Sequence, residues 1–331
     1  MSNYVLEVEN LHTYFKTDNG VVKAVNGVSF KLKQGEILGI VGESGCGKSV
    51  TSLSLMKLVP SPPGKIVEGS IKYKGHDLIK YSEKDMQKIR GKDISMIFQD
   101  PMTSLNPFLR VSTQMIEAIM LHQKTDKEAA KKRAIDMLSQ VGIPAPEKRI
   151  DSYPHQFSGG MRQRVMIAMA LSCDPHILIA DEPTTALDVT IQAQILELIK
   201  ELSSKFGTSV IMITHDLGVV AGMCDRVNVM YAGKIVEHSP TYELFEKPAH
   251  PYTEALISAV PRLDRPSEER LNSIPGQPPN LINLPDCCPF YPRCPKVMDI
   301  CKKQSPPEFK IAEDRTVRCW LHKDKGEENN G

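Results

Sequence analysis

The chain has 331 residues, 41% of them hydrophobic, and its 41 lysines and arginines nearly balance its 40 aspartates and glutamates. This length allows one large domain with an appendage, or two domains. A formal net charge of +1 provides no field that would attract nucleic acid, so no nucleic-acid partner is expected. No apolar run is long enough for a membrane span, and residues 1–7 lack the features of a signal peptide. We therefore expect a cytosolic chain that contacts a membrane only through a partner.

The first predicted elements are strands. Residues 5–8 and 28–32 alternate in polarity like half-buried antiparallel strands, and Gly20 and Gly27 predict turns between them. Tyr14 and Phe15 lie in the connection between these strands. An aromatic side chain there either packs in the core or stacks on an adenine base, and the residues alone leave both alternatives open.

A strand predicted at 37–41 leads into a glycine-rich loop, and a helix is predicted at 50–58. In such a loop successive backbone N–H groups surround phosphate oxygens, and the N-terminus of the helix adds a favourable dipole. The lysine then reaches the β- and γ-phosphates, and the following serine ligates magnesium. A glycine turn that binds nothing is the disfavoured alternative, because the full spacing lies between a strand and a helix. The predicted phosphate-binding residues are Gly42, Glu43, Ser44, Gly45, Cys46, Gly47, Lys48, Ser49 and Val50.

An all-helical insert is predicted after the next strands. Short strands are expected at 70–74 and 95–98, and the second ends at Gln99. Residues 100–107 contain two prolines and predict a loop. The apolar period is then helical over 113–141. Its apolar positions are Ile116, Ile119, Met120, Ala130, Ala134, Met137 and Leu138.

Ser158, Gly159 and Gly160 precede a helix predicted at 165–171. Two glycines at the start of a helix offer N–H groups to an anion. Taken alone, the segment is interpreted as a flexible entry turn with a serine cap.

Acidic residues follow the next predicted strand. The apolar run 176–180 ends in Asp181 and Glu182. Carboxylates at such a strand end suit magnesium and water chemistry, with Asp181 in the metal shell and Glu182 orienting or deprotonating the attacking water. The alternative, that both are helix-capping acids, is disfavoured by the neighbouring phosphate-binding motif.

The following segment repeats the strand-and-helix pattern. Asp188 precedes an amphipathic helix, and the strand predicted at 210–213 leads to His215. A lone histidine at a strand end is usually a polar surface residue. In open α/β sheets, however, this edge is where ligands bind.

Together these residues resemble the ATP-binding subunits of ABC transporters over roughly residues 4–240. The resemblance implies an α/β fold: a P-loop (RecA-like) nucleotide-binding domain with an antiparallel β subdomain and a helical subdomain at about 100–172. It identifies 42–49 as Walker A, Asp181 as the end of Walker B, Glu182 as the catalytic glutamate, Gln99 as the Q-loop glutamine near magnesium, 158–161 as the signature, Asp188 as the D-loop aspartate, His215 as the switch histidine and Phe15 as the A-loop aromatic, with Tyr14 the alternative.

The family resemblance also implies a dimer. Two such domains sandwich two ATP molecules head to tail, so Ser158 and Gly160 would bind the ATP of the partner. Hydrolysis removes the γ-phosphate contact and lets the sandwich open. Met161 stands where the general signature has glutamine.

Residues 98–107, 157–164 and 250–256 are similar to the dipeptide and oligopeptide importer branch, in which Met161 is no anomaly. The branch implies two integral permease subunits, a second ATPase that is either a sister chain or another copy, and indirectly an extracytoplasmic peptide-binding protein. It places the chain on the cytoplasmic face of the cell membrane as a peripheral subunit. We therefore expect a nucleotide-binding domain at 1–240 and a small, irregular, cysteine-rich extension at 241–331.

Five of the eight cysteines lie in the last fifth of the chain, after a proline-rich connector that begins near residue 260. From Cys288 the spacing is C-x5-C-x6-C-x17-C. This spacing leaves a zinc site and a 4Fe-4S cluster open, and disulfides are disfavoured in a cytosolic chain. The importer branch implies a structural 4Fe-4S cluster in the tail at 287–319, with Cys287 as a spare thiol and the ligands Cys288, Cys294, Cys301 and Cys319.

These features predict an ATPase subunit that couples Mg-ATP hydrolysis to peptide import. One alternative is a soluble ABC ATPase that acts on ribosomes or DNA, but the chain has a single Walker A motif and no heptad run. Import of nickel or another solute is a further alternative that the chain alone does not separate. An iron–sulfur redox module with a vestigial ATPase is disfavoured by the complete catalytic set.

Overall fold

The computed structural model describes residues 3–100, 104–185, 187–259, 274–282 and 284–324. Its strands are β1 Tyr4–Thr17, β2 Gly20–Lys33, β3 Ile37–Val41, β4 Gly64–Tyr73, β5 His76–Asp77, β6 Ile94–Ile97, β7 Ile177–Asp181, β8 Ser209–Thr214, β9 Arg226–Tyr231, β10 Lys234–Pro240, β11 Phe309–Ala312 and β12 Arg315–Val317. Its α-helices are α1 Lys48–Leu55, α2 Glu83–Ile89, α3 Val111–Gln123, α4 Lys127–Gln140, α5 Pro146–Arg149, α6 Gly159–Leu171, α7 Val189–Phe206, α8 Leu217–Met223, α9 Thr241–Glu246 and α10 Pro251–Ser258.

The chain divides into two compact units, each built from separate stretches. The first unit contains Met1–Val5, Leu32–Glu36 and Lys80–Met212. The second unit contains Leu6–Lys31, Ile37–Ile79 and Ile213–Gly331.

In the second unit, an antiparallel sheet has the strand order β2-β1-β4-β5. Strands β1 and β2 are 14 residues each, much longer than the predicted alternating runs. The turn predicted at Gly27 is wrong, because Gly27 lies inside β2. Its φ of +81° lets the strand continue through a left-handed residue without reversing.

The second unit also contains a group of strands in the order β11-β12-β10-β9-β3. Strand β3 has the predicted bounds, and every residue of β3 and β9 is buried. The two run parallel, as expected for strands covered on both faces. Helix α1 begins at Lys48 and ends at Leu55, earlier than predicted, because Gly47 occupies its N-cap. The C-terminal hairpin β11–β12 pairs with β10.

In the first unit, β6 and β7 form a parallel pair, and β8 follows in the order β8-β7-β6. The strands predicted at 95–98, 176–180 and 210–213 are confirmed to within one residue at each end. Helix α7 buries one apolar face, as its period predicts. That face carries Ile195, Leu198, Ile199 and Leu202, whereas Ile191, which the period also places there, is half-buried.

The helical insert of the first unit is divided. The period predicted over 113–141 separates into α3 and α4, because Lys124 adopts a φ of +52° and Asp126 caps α4 by accepting from the Ala129 N–H. All but one of the predicted apolar positions are buried. The exception is Met120, whose exposed fraction is 40%, so the apolar face of α3 is not covered at this position. Part of the predicted loop, at 101–103, lies outside the described residues.

No helix in the described part of the chain is long and apolar enough to cross a membrane. Most of the predicted proline-rich connector, at 260–273, lies outside the described residues.

The buried face of α4 should dominate the stability of the insert. Leu138 on α4 is fully buried, whereas Lys132 on the same helix is exposed. We expect Leu138→Ala to lower the free energy of unfolding by about 2–5 kcal/mol through lost burial and a residual cavity. The control Lys132→Ala should change it by less than about 0.5 kcal/mol. Urea titrations of both variants check this, and equal midpoints would contradict the packing of α4.

Candidate functional site

The predicted phosphate-binding loop, residues 42–49 between β3 and α1, requires glycine at two positions. A Cβ atom at Gly42 would lie 2.2 Å from the carbonyl oxygen of Met230, and one at Gly47 would lie 2.1 Å from that of Ala24. Both glycines also have positive φ, at 156° and 108°. The loop therefore lies against the backbone of the second unit so closely that no side chain fits at either position.

The side chain of Lys48 folds back over this loop. Its Nζ donates to the carbonyl oxygens of Gly42 at 2.8 Å and Glu43 at 3.1 Å, and the residue is only 5% exposed. A buried ammonium is thus fixed at the turn where a phosphate group would bind. Ser49 follows it in the first turn of α1. Within the loop the Cys46 side chain is buried, and burial raises the pKa of its thiol.

Two predicted catalytic residues, Gln99 and Glu182, are in contact in the first unit. Asp181 is the buried last residue of β7, and Glu182 follows it with a φ of +46°, a conformation uncommon for a residue other than glycine. The Glu182 Oε2 atom accepts from Gln99 Nε2 at 3.0 Å and from the Thr185 hydroxyl at 3.0 Å. The carboxylate is therefore held by two donors, and one of them is the predicted Q-loop glutamine.

The predicted signature residues lie at an exposed helix start in the same unit. Ser158 is the N-cap of α6, and its hydroxyl accepts from the Met161 N–H at 3.3 Å. Ser158 and Gly159 are exposed, and Gly160 is half-buried. A Cβ atom at Gly160 would lie 2.9 Å from Cγ2 of Ile191 on α7, so packing against α7 favours glycine there.

The remaining predicted polar candidates are also exposed. Asp188 occupies the N-cap position of α7 in the first unit, with its side chain making no capping hydrogen bond. His215 directly follows β8, and it belongs to the second unit.

The two aromatic candidates are neighbours on β1, so their side chains point to opposite faces of the sheet. The Tyr14 hydroxyl donates to Asn26 Oδ1 at 2.9 Å and contacts His12 Nδ1 at 2.9 Å. Tyr14 is thereby tied into a polar network. Phe15 pairs with Gly64 on β4, where its ring occupies the space that a Cβ atom would need.

Four cysteines of the extension line one small cavity in the second unit. The cavity has a volume of about 10 Å³, the space of about one water molecule, and Trp320 and Phe290 also line it. Cys287 lies outside this lining. The cysteines around the cavity are Cys288, Cys294, Cys301 and Cys319.

Burial shapes the chemistry of these thiols. Burial, with a smaller contribution from the neighbouring cysteines, raises the pKa of Cys288 to about 12 and that of Cys319 to about 11. Among the described residues, no group of three or more His, Cys, Asp or Glu side chains has the spacing to hold a metal ion. The sequence prediction of a metal or iron–sulfur centre is therefore not demonstrated by the fold, although its four residues share one cavity.

Two contacts to the phosphate-binding loop were not predicted from the sequence. The Glu43 N–H donates to the Tyr252 hydroxyl at 2.9 Å, and Arg293 binds the Glu43 carboxylate. Tyr252 lies in the His250-Pro251-Tyr252 segment that marks the importer branch, which was the one available signal. Nothing in the sequence paired Arg293 with Glu43.

Comparisons with known proteins match both parts of the chain. Residues 25–185 match the ABC transporter family, and residues 236–301 match the family described as oligopeptide/dipeptide transporter, C-terminal region. The chain is 57% identical over 317 residues to the oligopeptide transport ATP-binding protein OppD of Bacillus subtilis, covering 96% of this chain and 88% of that protein. It is also 57% identical over 323 residues to the dipeptide transport ATP-binding protein DppD of the same organism, covering 98% and 96%.

Solved structures agree with this relationship and confirm the predicted ABC cassette fold. A dimeric ATP-binding cassette in a post-hydrolysis state with ADP and phosphate matches with a TM-score of 0.64 at 28% identity, covering 71% of this chain and 98% of that one. A cassette of the cbiONQ transporter complex of Clostridium perfringens matches with a TM-score of 0.63 at 30% identity, covering 74% and 92%. The chain therefore belongs to the family of ATP-hydrolysing, ATP-binding subunits of oligopeptide and dipeptide ABC transporters.

Proposed function

We propose that this chain hydrolyses Mg-ATP to ADP and phosphate and couples that reaction to the import of dipeptides or oligopeptides. The observation that carries the proposal is that one chain contains both the ABC cassette and the peptide-transporter C-terminal region. Over 96% of its length, the chain is 57% identical to the oligopeptide transport protein OppD of Bacillus subtilis. Membership of the family implies membrane permease partners and dimerisation.

In the proposed ATP site, the backbone N–H groups of 42–50 bind the phosphates, and Lys48 neutralises the β- and γ-phosphates. The burial of Lys48 and its two carbonyl contacts support this role. Ser49, Asp181 and Gln99 are the proposed magnesium residues, and magnesium supplies charge neutralisation to the phosphates. Phe15 stacks on adenine in preference to Tyr14, because the Tyr14 hydroxyl is held in the network with Asn26.

Hydrolysis needs an oriented water. We assign Glu182 to accept a proton from the water that attacks the γ-phosphorus, while the bond to the ADP oxygen breaks. The hydrogen bonds from Gln99 and Thr185 support this assignment, because they fix the carboxylate. His215 is assigned to sense the γ-phosphate.

The second half of each site comes from a neighbour in this proposal. Ser158, Gly159, Gly160 and Asp188 would complete the ATP site of the partner ATPase, either another copy or a sister chain. Three of the four are exposed, so they are accessible to a second protein. We propose two integral permease subunits, an extracytoplasmic peptide-binding protein that acts through them, and a peripheral position on the cytoplasmic face. The corresponding domains are 1–240, with the helical subdomain at about 100–172, and 241–331.

We also propose that Cys288, Cys294, Cys301 and Cys319 hold a 4Fe-4S cluster, with zinc as the alternative. Support comes from the cavity that all four line. The resemblance to the importer branch favours the cluster over zinc. A bound cluster would tie the extension together, and Cys287 would remain a free thiol.

The role of Glu182 can be tested in the transporter complex purified from membranes. Glu182→Gln should retain ATP binding but lower the ATP hydrolysis rate by about 100-fold or more, because the amide cannot accept the proton. The matched control is Glu197→Gln on the exposed face of α7, which should hydrolyse ATP at the wild-type rate. Undiminished hydrolysis by Glu182→Gln would refute the assignment.

The cysteine proposal predicts about four iron atoms per anaerobically purified chain. Cys301→Ser should lose most of this iron and alter the fluorescence of Trp320, the single tryptophan, which lines the same cavity. Cys287→Ser is the control, because Cys287 does not line the cavity, and it should keep its iron. Elemental analysis that finds zinc would establish the alternative, and a wild-type chain without either metal would contradict the proposal.

A further inference from the structure

The second residue of the phosphate-binding loop is bound by the C-terminal extension. Arg293 Nη1 donates to Glu43 Oε2 at 2.7 Å, and Arg293 Nη2 donates to Glu43 Oε1 at 2.9 Å. This is the bidentate arrangement in which an arginine recognises a carboxylate most strongly. The side chain of Arg293 is only 4% exposed and that of Glu43 is 25% exposed, so solvent screens the pair weakly.

The other donors of Arg293 are also used. Its Nε donates to the carbonyl oxygen of Pro275 at 2.9 Å, and its Nη1 donates to the Tyr231 hydroxyl at 3.3 Å. Tyr231 is the last residue of β9. The guanidinium is therefore fixed in one orientation by groups on both sides of it.

Glu43 is held through its backbone as well. Its N–H donates to the hydroxyl of Tyr252 on α10. The ring of Tyr252 packs against Tyr231 and Phe290, with centroids 4.5 Å and 5.4 Å away. These rings are fully buried, so the hydroxyl that meets the loop has little freedom to move.

The turn that carries Arg293 is held by backbone hydrogen bonds within the cysteine-rich segment. Arg293 ends the short 3₁₀ helix Tyr291–Arg293 and directly precedes Cys294. The Cys294 N–H donates to the Tyr291 carbonyl, and the Cys288 N–H donates to the Cys301 carbonyl at 3.0 Å. The position of Arg293 thus depends on the fold of residues 284–324, which we name the cysteine module.

We propose that Arg293 is a positioning residue for the phosphate-binding loop, and that it makes ATP binding depend on the folded cysteine module. Glu43 directly follows Gly42, in a loop that must accept a polyphosphate. Without Arg293 its carboxylate would repel the phosphates and the loop would lose its anchor. The inference rests on the proposed phosphate-binding role of residues 42–49, but not on which group the cysteines hold.

The direct test is the dissociation constant of a fluorescent ATP analogue for the purified full-length chain. Arg293→Met should raise it about tenfold, within the usual range for coupled sites. Arg293→Lys should have a smaller effect, because lysine keeps the positive charge and loses only the bidentate contact with the Glu43 carboxylate. The matched control is Lys296→Met. Lys296 is also near Cys294, but it pairs at 2.6 Å with the half-exposed Glu254, so its removal should leave the constant unchanged.

Two further variants separate the charge of Glu43 from the positioning of the loop, and test whether ATP binding depends on the cysteine module. Glu43→Gln added to Arg293→Met should restore part of the affinity by removing the repulsion. Cys301→Ser should weaken ATP binding in the wild-type background and add little in the Arg293→Met background. Unchanged Trp320 fluorescence in Arg293→Met would show that the module is still folded.

The possible failures are distinguishable. Wild-type affinity in Arg293→Met would overturn the positioning role. Additive effects of Cys301→Ser and Arg293→Met, or no effect of Cys301→Ser, would overturn the dependence on the module. A wild-type chain that does not bind the ATP analogue would refute the proposed phosphate-binding role of 42–49 instead.

Discussion

The close approach of backbone to backbone behind the phosphate-binding loop is the constraint on which the second unit depends. The parallel register of β3 and β9 pairs Val41 with Val229, which brings the Met230 carbonyl against Gly42. On the other side, Gly47 lies against the Ala24 carbonyl of β2. Only glycine fits at both positions, and the second of them is the N-cap of α1. The backbone conformation of the loop, on which the proposed binding of phosphate by N–H groups and Lys48 depends, therefore follows from strand packing.

The C-terminal peptide-transporter region is joined through strand pairing to the strands behind the phosphate-binding loop. Strand β12 pairs with β10, and β10 pairs with β9, which lies beside β3. The buried carboxylate of Glu237 on β10 accepts the N–H groups of Ala249 and His250 at 2.8 Å each, which fixes the start of α10 and hence Tyr252. The extension thus helps to hold the phosphate-binding loop in place.

The elements that could be predicted from the sequence are those fixed by the residues of the element itself. Strands β3, β7 and β8 were predictable because they are buried on both faces and appear as apolar runs. The motif residues were predictable because their spacing encodes one backbone conformation. The course of the chain at Gly27 was not predictable, because a glycine inside a long strand resembles a turn. The exposure of Met120 was not predictable either, because an apolar position in a helical period does not have to be covered. The ion pair of Glu43 with Arg293 joins residues 250 positions apart, so it was not available from spacing.

The proposed function is that of an ATPase subunit that drives peptide transport. It is supported by the family relationship, by the Glu182 carboxylate held by Gln99 and Thr185, and by the buried Lys48 on the glycine-rich loop. The measurement that tests this most directly is peptide uptake by vesicles containing the complex that co-purifies with this chain from native membranes. The account predicts that permeases co-purify and that labelled peptide accumulates in proportion to the ATP hydrolysed. Recovery of ribosomal or DNA-associated proteins without permeases, or ATP hydrolysis that moves no peptide, would contradict it.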